Sequence, residues 1–198
     1  MSRGRPRKID PNLALDKAMN VFWEKGFDGT SMSELVVATE MAKPGLYANF
    51  GDKEELFGKA LSHYFDNVGS PLLTKFGDST GSIKSDLGNL LRETLEGVLS
   101  GENPTGCFVV NSMIECPNKS QSLQELTQEI DEKRRKIFHK RFIYAFEKGE
   151  FSNQENIKDL SDYYAAQMLV IGLMTRAGAE KSMIEDFIET TLKLMPLK

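Results

Sequence analysis

Cysteine, histidine and tryptophan are scarce: two, two and one in 198 residues. Two cysteines cannot supply the disulfide framework that props up small secreted domains, and the two distant histidines form no zinc-ligand spacing with them. Neither a structural metal nor a cofactor is therefore expected. No apolar run comes near the ~20 residues of a membrane span. The opening MSRGRPRKIDP is charged and no apolar stretch follows it, so it does not read as a secretory signal. The chain reads as cytoplasmic, without a membrane partner. A phosphate-cradling glycine loop and a dinucleotide fingerprint are both missing, and His63 and His139 have no evident triad or metal partners. An enzyme explains very little of such a sequence.

What is present describes a foldable chain with an uneven charge. Hydrophobic residues make up 40% and charged residues 27%, which places it with globular proteins and away from disorder. The length suits one sizeable core, or a small module joined to a larger one. Net charge is −4 and the pI about 5.4, so the body repels a phosphate backbone. Yet Arg3, Arg5, Arg7 and Lys8 crowd the start without one acid among them. A basic arm, 1–8, on an acidic body fits a chain that meets a polyanion at one end. The extended GRPR segment also suits a narrow, electronegative minor groove, although a simply solvated terminus explains the arm equally well.

Helical signals run almost throughout. Asp10 and Pro11 start a first helix, whose Leu15, Ala18, Met19 and Phe22 recur at helical spacing up to Gly26. Ser31 and Glu34 bracket a capping box for a second helix that fades near Met41. The stretch AKPGLYANFGDKEEL, 42–56, then holds a short third helix, started by Pro44 and stopped by Gly51. Asp52 and Glu55 cap a fourth, with Leu56, Phe57, Ala60, Leu61, Tyr64 and Phe65 as its buried stripe. Three short helices with a tight turn before the third describe a helix-turn-helix, whose third helix enters the major groove. Leu46 and Phe50, four apart, should face inward, leaving Lys43, Tyr47 and Asn49 outward. Pro44 and Gly45 at its start allow a close backbone approach to DNA. Lys43 offers charge to phosphate, and Tyr47 and Asn49 offer hydrogen bonds to phosphate or base edges. Lys53 and the hydroxyls of Thr30 and Ser31 are placed for further backbone contacts. Taken singly, Tyr47 also reads as a half-buried core aromatic and Lys53 as a solvated charge. Trp23, on the first helix, reads as packing or a partly buried surface.

Beyond residue 66 the chain is less explicit. A loop at 77–82 precedes a helix with Ile83, Leu87, Leu90, Leu91, Thr94, Leu95 and Val98 on one face, and SGENPTG at 100–106 is another break. A long helix is expected from Ser122 to Lys148, its DEKRRK middle a solvated face with internal ion pairs. Two more follow near 155–178 and 182–195, the first carrying the apolar AAQMLVIGLM, more than one small core needs and suited to another subunit. Phe108, Met113, Phe142 and Met168 are candidates to line a ligand pocket, each equally readable as core. Cys107 stands near a helix start, where the dipole favours a thiolate; it is a candidate sensor, or with Cys116 a small core hydrophobe.

FWEKGFDGTSM, AKPGLYANFGDKEEL and Ala38 in the turn carry a resemblance along residues 14–61 to the DNA-binding domain of TetR-type transcriptional repressors. Many members carry histidine where this chain has Asn49. The resemblance implies an all-helical homodimer with a variable C-terminal ligand domain, released from double-stranded operator DNA when a small-molecule inducer binds. It places the dimer's four-helix bundle in the last two helices, and the GC at 106–107, followed by apolar residues and then Asn111 and Glu115, resembles a subset that includes sensors of electrophiles and oxidants. The expectation is thus an all-α chain: arm 1–8, helix-turn-helix domain 9–51, connecting helix 52–66, and ligand-binding and dimerisation domain 67–198. A helical adaptor that binds only proteins is the alternative; it would explain the apolar surfaces but neither the arm nor the short third helix.

Overall fold

The computed structural model describes residues 9–101, 104–116, 120–151 and 156–198. The basic arm lies outside them, and with it the expected roles of Arg3, Arg5 and Arg7. The described chain is helical: α1 Pro11–Lys25, α2 Met32–Thr39, α3 Lys43–Phe50, α4 Lys53–Tyr64, a π-helical turn Phe65–Gly69, α5 Ser70–Gly77, α6 Ile83–Leu99, α7 Phe108–Glu115, α8 Gln121–Glu147, α9 Ile157–Arg176 and α10 Lys181–Lys193. An isolated bridge between Phe151 and Leu197 is the β pairing found among the described residues.

Local chemistry accounts for the first four helices. The Asp10 carboxylate accepts from the Asn12 amide at 2.9 Å, and Pro11 follows in the first turn, where an N–H would lack a helical partner. Both capping boxes form, Ser31 with Glu34 and Asp52 with Glu55. Gly51 closes α3 at φ 83°, a left-handed conformation that disfavours a side chain. Glu40, at the end of α2, pairs with Lys17 while Glu34, at its start, pairs with Lys25, so both ends of α2 are tied to α1.

Further along, α4 passes into α5 without leaving a helical path. Pro71 has no N–H to give, and the π turn, in which the Ser70 amide donates to the Phe65 carbonyl, accommodates the lost register. The connecting helix expected over 52–66 is therefore continued by the π turn and α5 to Gly77. α8 lies against α5 and α9, and α10 against α6. One hydrophobic core runs from α1 through to α10. The DEKRRK segment makes the expected internal pairs, Arg135–Asp131 and Lys136–Glu132 among them, but it is not wholly solvated. Arg134 turns inward to 4% exposure, where Asp131 and the Ala165 carbonyl meet its guanidinium.

Candidate nucleic-acid interface and ligand cavity

α3 is held by two side chains and offers the rest. Leu46 and Phe50 are buried at 0% and 5% exposure, as their spacing requires. Lys43, Pro44 and Asn49 are exposed, and Tyr47 keeps 41% of its surface in solvent. A Cβ built at Gly45 would meet no atom within 4 Å among the described residues, so internal packing does not demand glycine there. Asn49 donates from Nδ2 to the Gly45 carbonyl at 2.7 Å, so part of its carboxamide is spent on its own helix and Oδ1 remains the outward acceptor. Lys43 Nζ stands 6.0 Å from the Tyr47 ring centre and Lys53 Nζ 4.3 Å from that of Phe27, which brings Lys53 beside the α1–α2 loop.

Thr30 corrects the sequence reading. It is 2% exposed and its hydroxyl donates to the Gly26 carbonyl at 2.7 Å, closing the end of α1 instead of facing outward. Ser31 is exposed, with its oxygen accepting from the Glu34 amide at 3.2 Å. Beside it Glu34 is pushed down to about 2, first by the hydrogen bond from Lys25 and then by those from Ser31.

A second feature lies between α4, α5, α6, α7, α8 and α9. It is a cavity of about 160 Å³, with Trp23, Tyr64, Val98, Cys107, Met113, Arg134 and Met168 among its wall residues. The π turn contributes Phe65, Val68 and Gly69 to that wall, which its wider register turns toward the void. Cys107, Met113 and Met168 share this wall. Phe108 and Phe142 are not part of the wall. Phe108 is 1% exposed among Trp23, Phe57 and Tyr64, and Phe142 is fully buried against Phe138, Phe151 and Tyr164. Both are core: helical spacing identified them as inward but could not say toward which neighbour. Cys107 caps α7 and its Sγ accepts from the Tyr64 hydroxyl at 3.6 Å. Burial, then the proximity of Cys107, push the Tyr64 phenol well above its ordinary value.

α7 joins the two features. At its start the Gly106 carbonyl accepts from Trp23 Nε1 at 3.2 Å, and Trp23 and Tyr64 meet edge to face at 4.8 Å. At its end Glu115 reaches the α1–α2 loop, its two oxygens accepting from the Phe27 and Asp28 amides at 2.9 Å each. Gly26, at φ 74°, makes room: a Cβ there would stand 2.6 Å from Glu115 Oε2. Sequence reasoning took Arg134 for part of a solvated face, Glu115 only for part of the resemblance around GC, and Trp23 for packing or a partly buried surface. The solitary tryptophan was the one available signal, since a glutamate closing an apolar helix looks like any solvated end.

Comparison with known proteins agrees with this geometry. Residues 14–60 match the model of the tetR family of bacterial regulatory proteins. The HTH-type transcriptional repressor ComR of Escherichia coli (strain K12) is 30% identical over 200 residues, spanning 98% of this chain and 93% of that protein. Among solved structures, a cysteine-substituted TetR family transcriptional regulator CifR, complexed with 26-base-pair double-strand operator DNA, superposes with a TM-score of 0.88 at 28% identity, covering 98% of this chain and all of that one. The exposed reading helix, its glycine and the helical body behind it agree with these likenesses, and the chain belongs to the tetR family of DNA-binding transcriptional regulators.

Proposed function

We propose that this protein is a cytoplasmic repressor, without enzymatic activity, that binds a palindromic operator as a homodimer and lets go when a small molecule fills its cavity. Lys43, Gly45, Tyr47 and Asn49 meet the major groove, Pro44 starts the helix, and Ser31 and Lys53 contact the flanking phosphates. The arm, through Arg3, Arg5 and Arg7, adds charge. α9 and α10 supply the dimer face, where Leu173 and Met183 are 47% and 58% exposed. Two reading helices must then sit roughly 34–36 Å apart to reach successive major grooves.

The observation that carries the response is α7, which touches the cavity at Cys107 and the reading domain at Glu115. A guest that displaces α7, or α4 across the cavity, shifts the α1–α2 loop and with it the spacing of the two readers. Binding of DNA and of guest are then reciprocally linked. A helical adaptor leaves the reading helix unexplained. Fluorescence anisotropy on duplexes from the protein's own promoter region, at several salt concentrations, tests the reading. Affinity should fall steeply with salt, and less steeply after removal of residues 1–8. Salt-independent binding, or none, would overturn it.

A second reading has its own observation. Cys107 Sγ lies on the cavity wall, at a helix start and beside the Tyr64 hydroxyl, so covalent modification there is an alternative route to release. Full alkylation of Cys107 that leaves operator affinity unchanged would eliminate that route.

A further inference from the structure

The donors on the cavity wall are nearly all spent inside the protein. Trp23 Nε1 donates to the Gly106 carbonyl and the Tyr64 hydroxyl to Cys107 Sγ. The Thr94 hydroxyl donates to the Leu90 carbonyl at 2.8 Å, and Ser100 to the Gly97 carbonyl at 3.2 Å. Arg134 differs. It belongs to the wall and is 4% exposed, with Nη1 donating to Ala165 and Nη2 to Asp131. Its Nε–H is buried and meets no acceptor among the described residues. A buried N–H of a charged group without an acceptor is costly, because it gave up water for nothing.

The void beside it holds about 160 Å³. That is close to the roughly 150 Å³ of an engineered apolar cavity that accepts benzene, so the guest has on the order of six to ten heavy atoms. Phe65, Leu73, Val98, Ile130 and Met168 offer it only apolar contact. We propose that the cavity selects a small apolar molecule carrying one acceptor oxygen, a carbonyl or a carboxylate, seated on the Arg134 Nε–H. This deepens the reading of the cavity as the inducer site and rests on it. Asp131 already faces the guanidinium, so a neutral carbonyl suffices and a full negative charge on the guest is not required.

Trp23 is the only tryptophan and lies on the wall, so its fluorescence reports occupancy directly. Hexane, 2-heptanone and hexanoate are titrated into the full-length chain and into Arg134→Met, which retains an apolar side chain but no donor. Both oxygen-bearing probes differ from hexane in their hydration, so the quantity compared is the ratio of each Kd to that of hexane. The advantage of the better acceptor over hexane should shrink at least tenfold in Arg134→Met. Arg134→Lys, which keeps the charge but lacks Nε, should lose it likewise and serves if the methionine variant does not fold. Stronger binding of 2-heptanone marks a neutral carbonyl, stronger binding of hexanoate an anion. An unchanged ratio, or failure of both acceptors to bind the unaltered protein, overturns the proposal. Operator affinity read in the same samples separates the two levels. Binding through Arg134 without release of DNA supports the anchor and removes the inducer role; release by all three probes alike in both proteins supports the inducer role and removes the anchor.

Discussion

Tyr47 and Phe50 lie three residues apart on α3, and they divide its work: Phe50 anchors at 5% exposure while Tyr47 stands 41% exposed. Because Tyr47 supports little of the fold, Tyr47→Ala should change stability by no more than about 0.5 kcal/mol. Operator affinity should nevertheless fall about tenfold, as expected for one lost hydrogen-bonding contact to DNA. Anisotropy with gel filtration checks both, and a lost dimer would show the ring to be structural. Phe142 is the opposite case. Stacked within 5.5–6.5 Å of three aromatic rings and fully buried, it should cost about 3–5 kcal/mol when replaced by alanine, read by urea unfolding. Spacing made both side chains' inward or outward sense legible. It could not tell that Phe142 faces other rings whereas Met168 faces a cavity, since that depends on which helix lies opposite.

At the scale of elements, α2 is fastened to α1 by charge, and the fastening is pH-dependent. Glu34 is lowered from 4.5 to about 2 in the folded chain. A carboxyl lowered by folding stabilises the fold above its ordinary value and loses that contribution as pH falls through the folded one. Glu34→Gln should therefore be less stable than the parent near neutrality, with the gap closing between pH 4.5 and about 2. Urea midpoints across that range decide it; a gap that widens on acidification would contradict the pairing. Glu115 fastens α7 to the α1–α2 loop by accepting two backbone hydrogen bonds. Glu115→Ala should raise hydrogen exchange at the Phe27 and Asp28 amides, which lose their acceptor, and unchanged protection there would remove Glu115 as the link. The capping boxes at Ser31 and Asp52 were legible because cap and partner are three residues apart. The π turn and α5 were not, because Gly69 and Pro71 are poor local helix signals, and α5 packs against α6 and α8, which lie far along the chain.

For the whole molecule, α9 and α10 leave Leu173 and Met183 in solvent, on the two helices proposed to form the dimer face. Replacing both by glutamate should yield a monomer by light scattering that binds a single half-site weakly, while the helical content stays the same. A dimer that persists would place the interface elsewhere. The first four helices, the caps at Asp10, Ser31 and Asp52, their inward stripes and the outward set on α3 were determined by the sequence itself, because each depends on residues within one or two turns of one another. The cavity, the inward turn of Arg134, the spending of Thr30 on Gly26 and the grip of Glu115 on the α1–α2 loop were decided only by tertiary structure. Glu115 and its two amide partners are 88 and 87 positions apart, and no local pattern records which carboxylate will arrive there once the helices have packed.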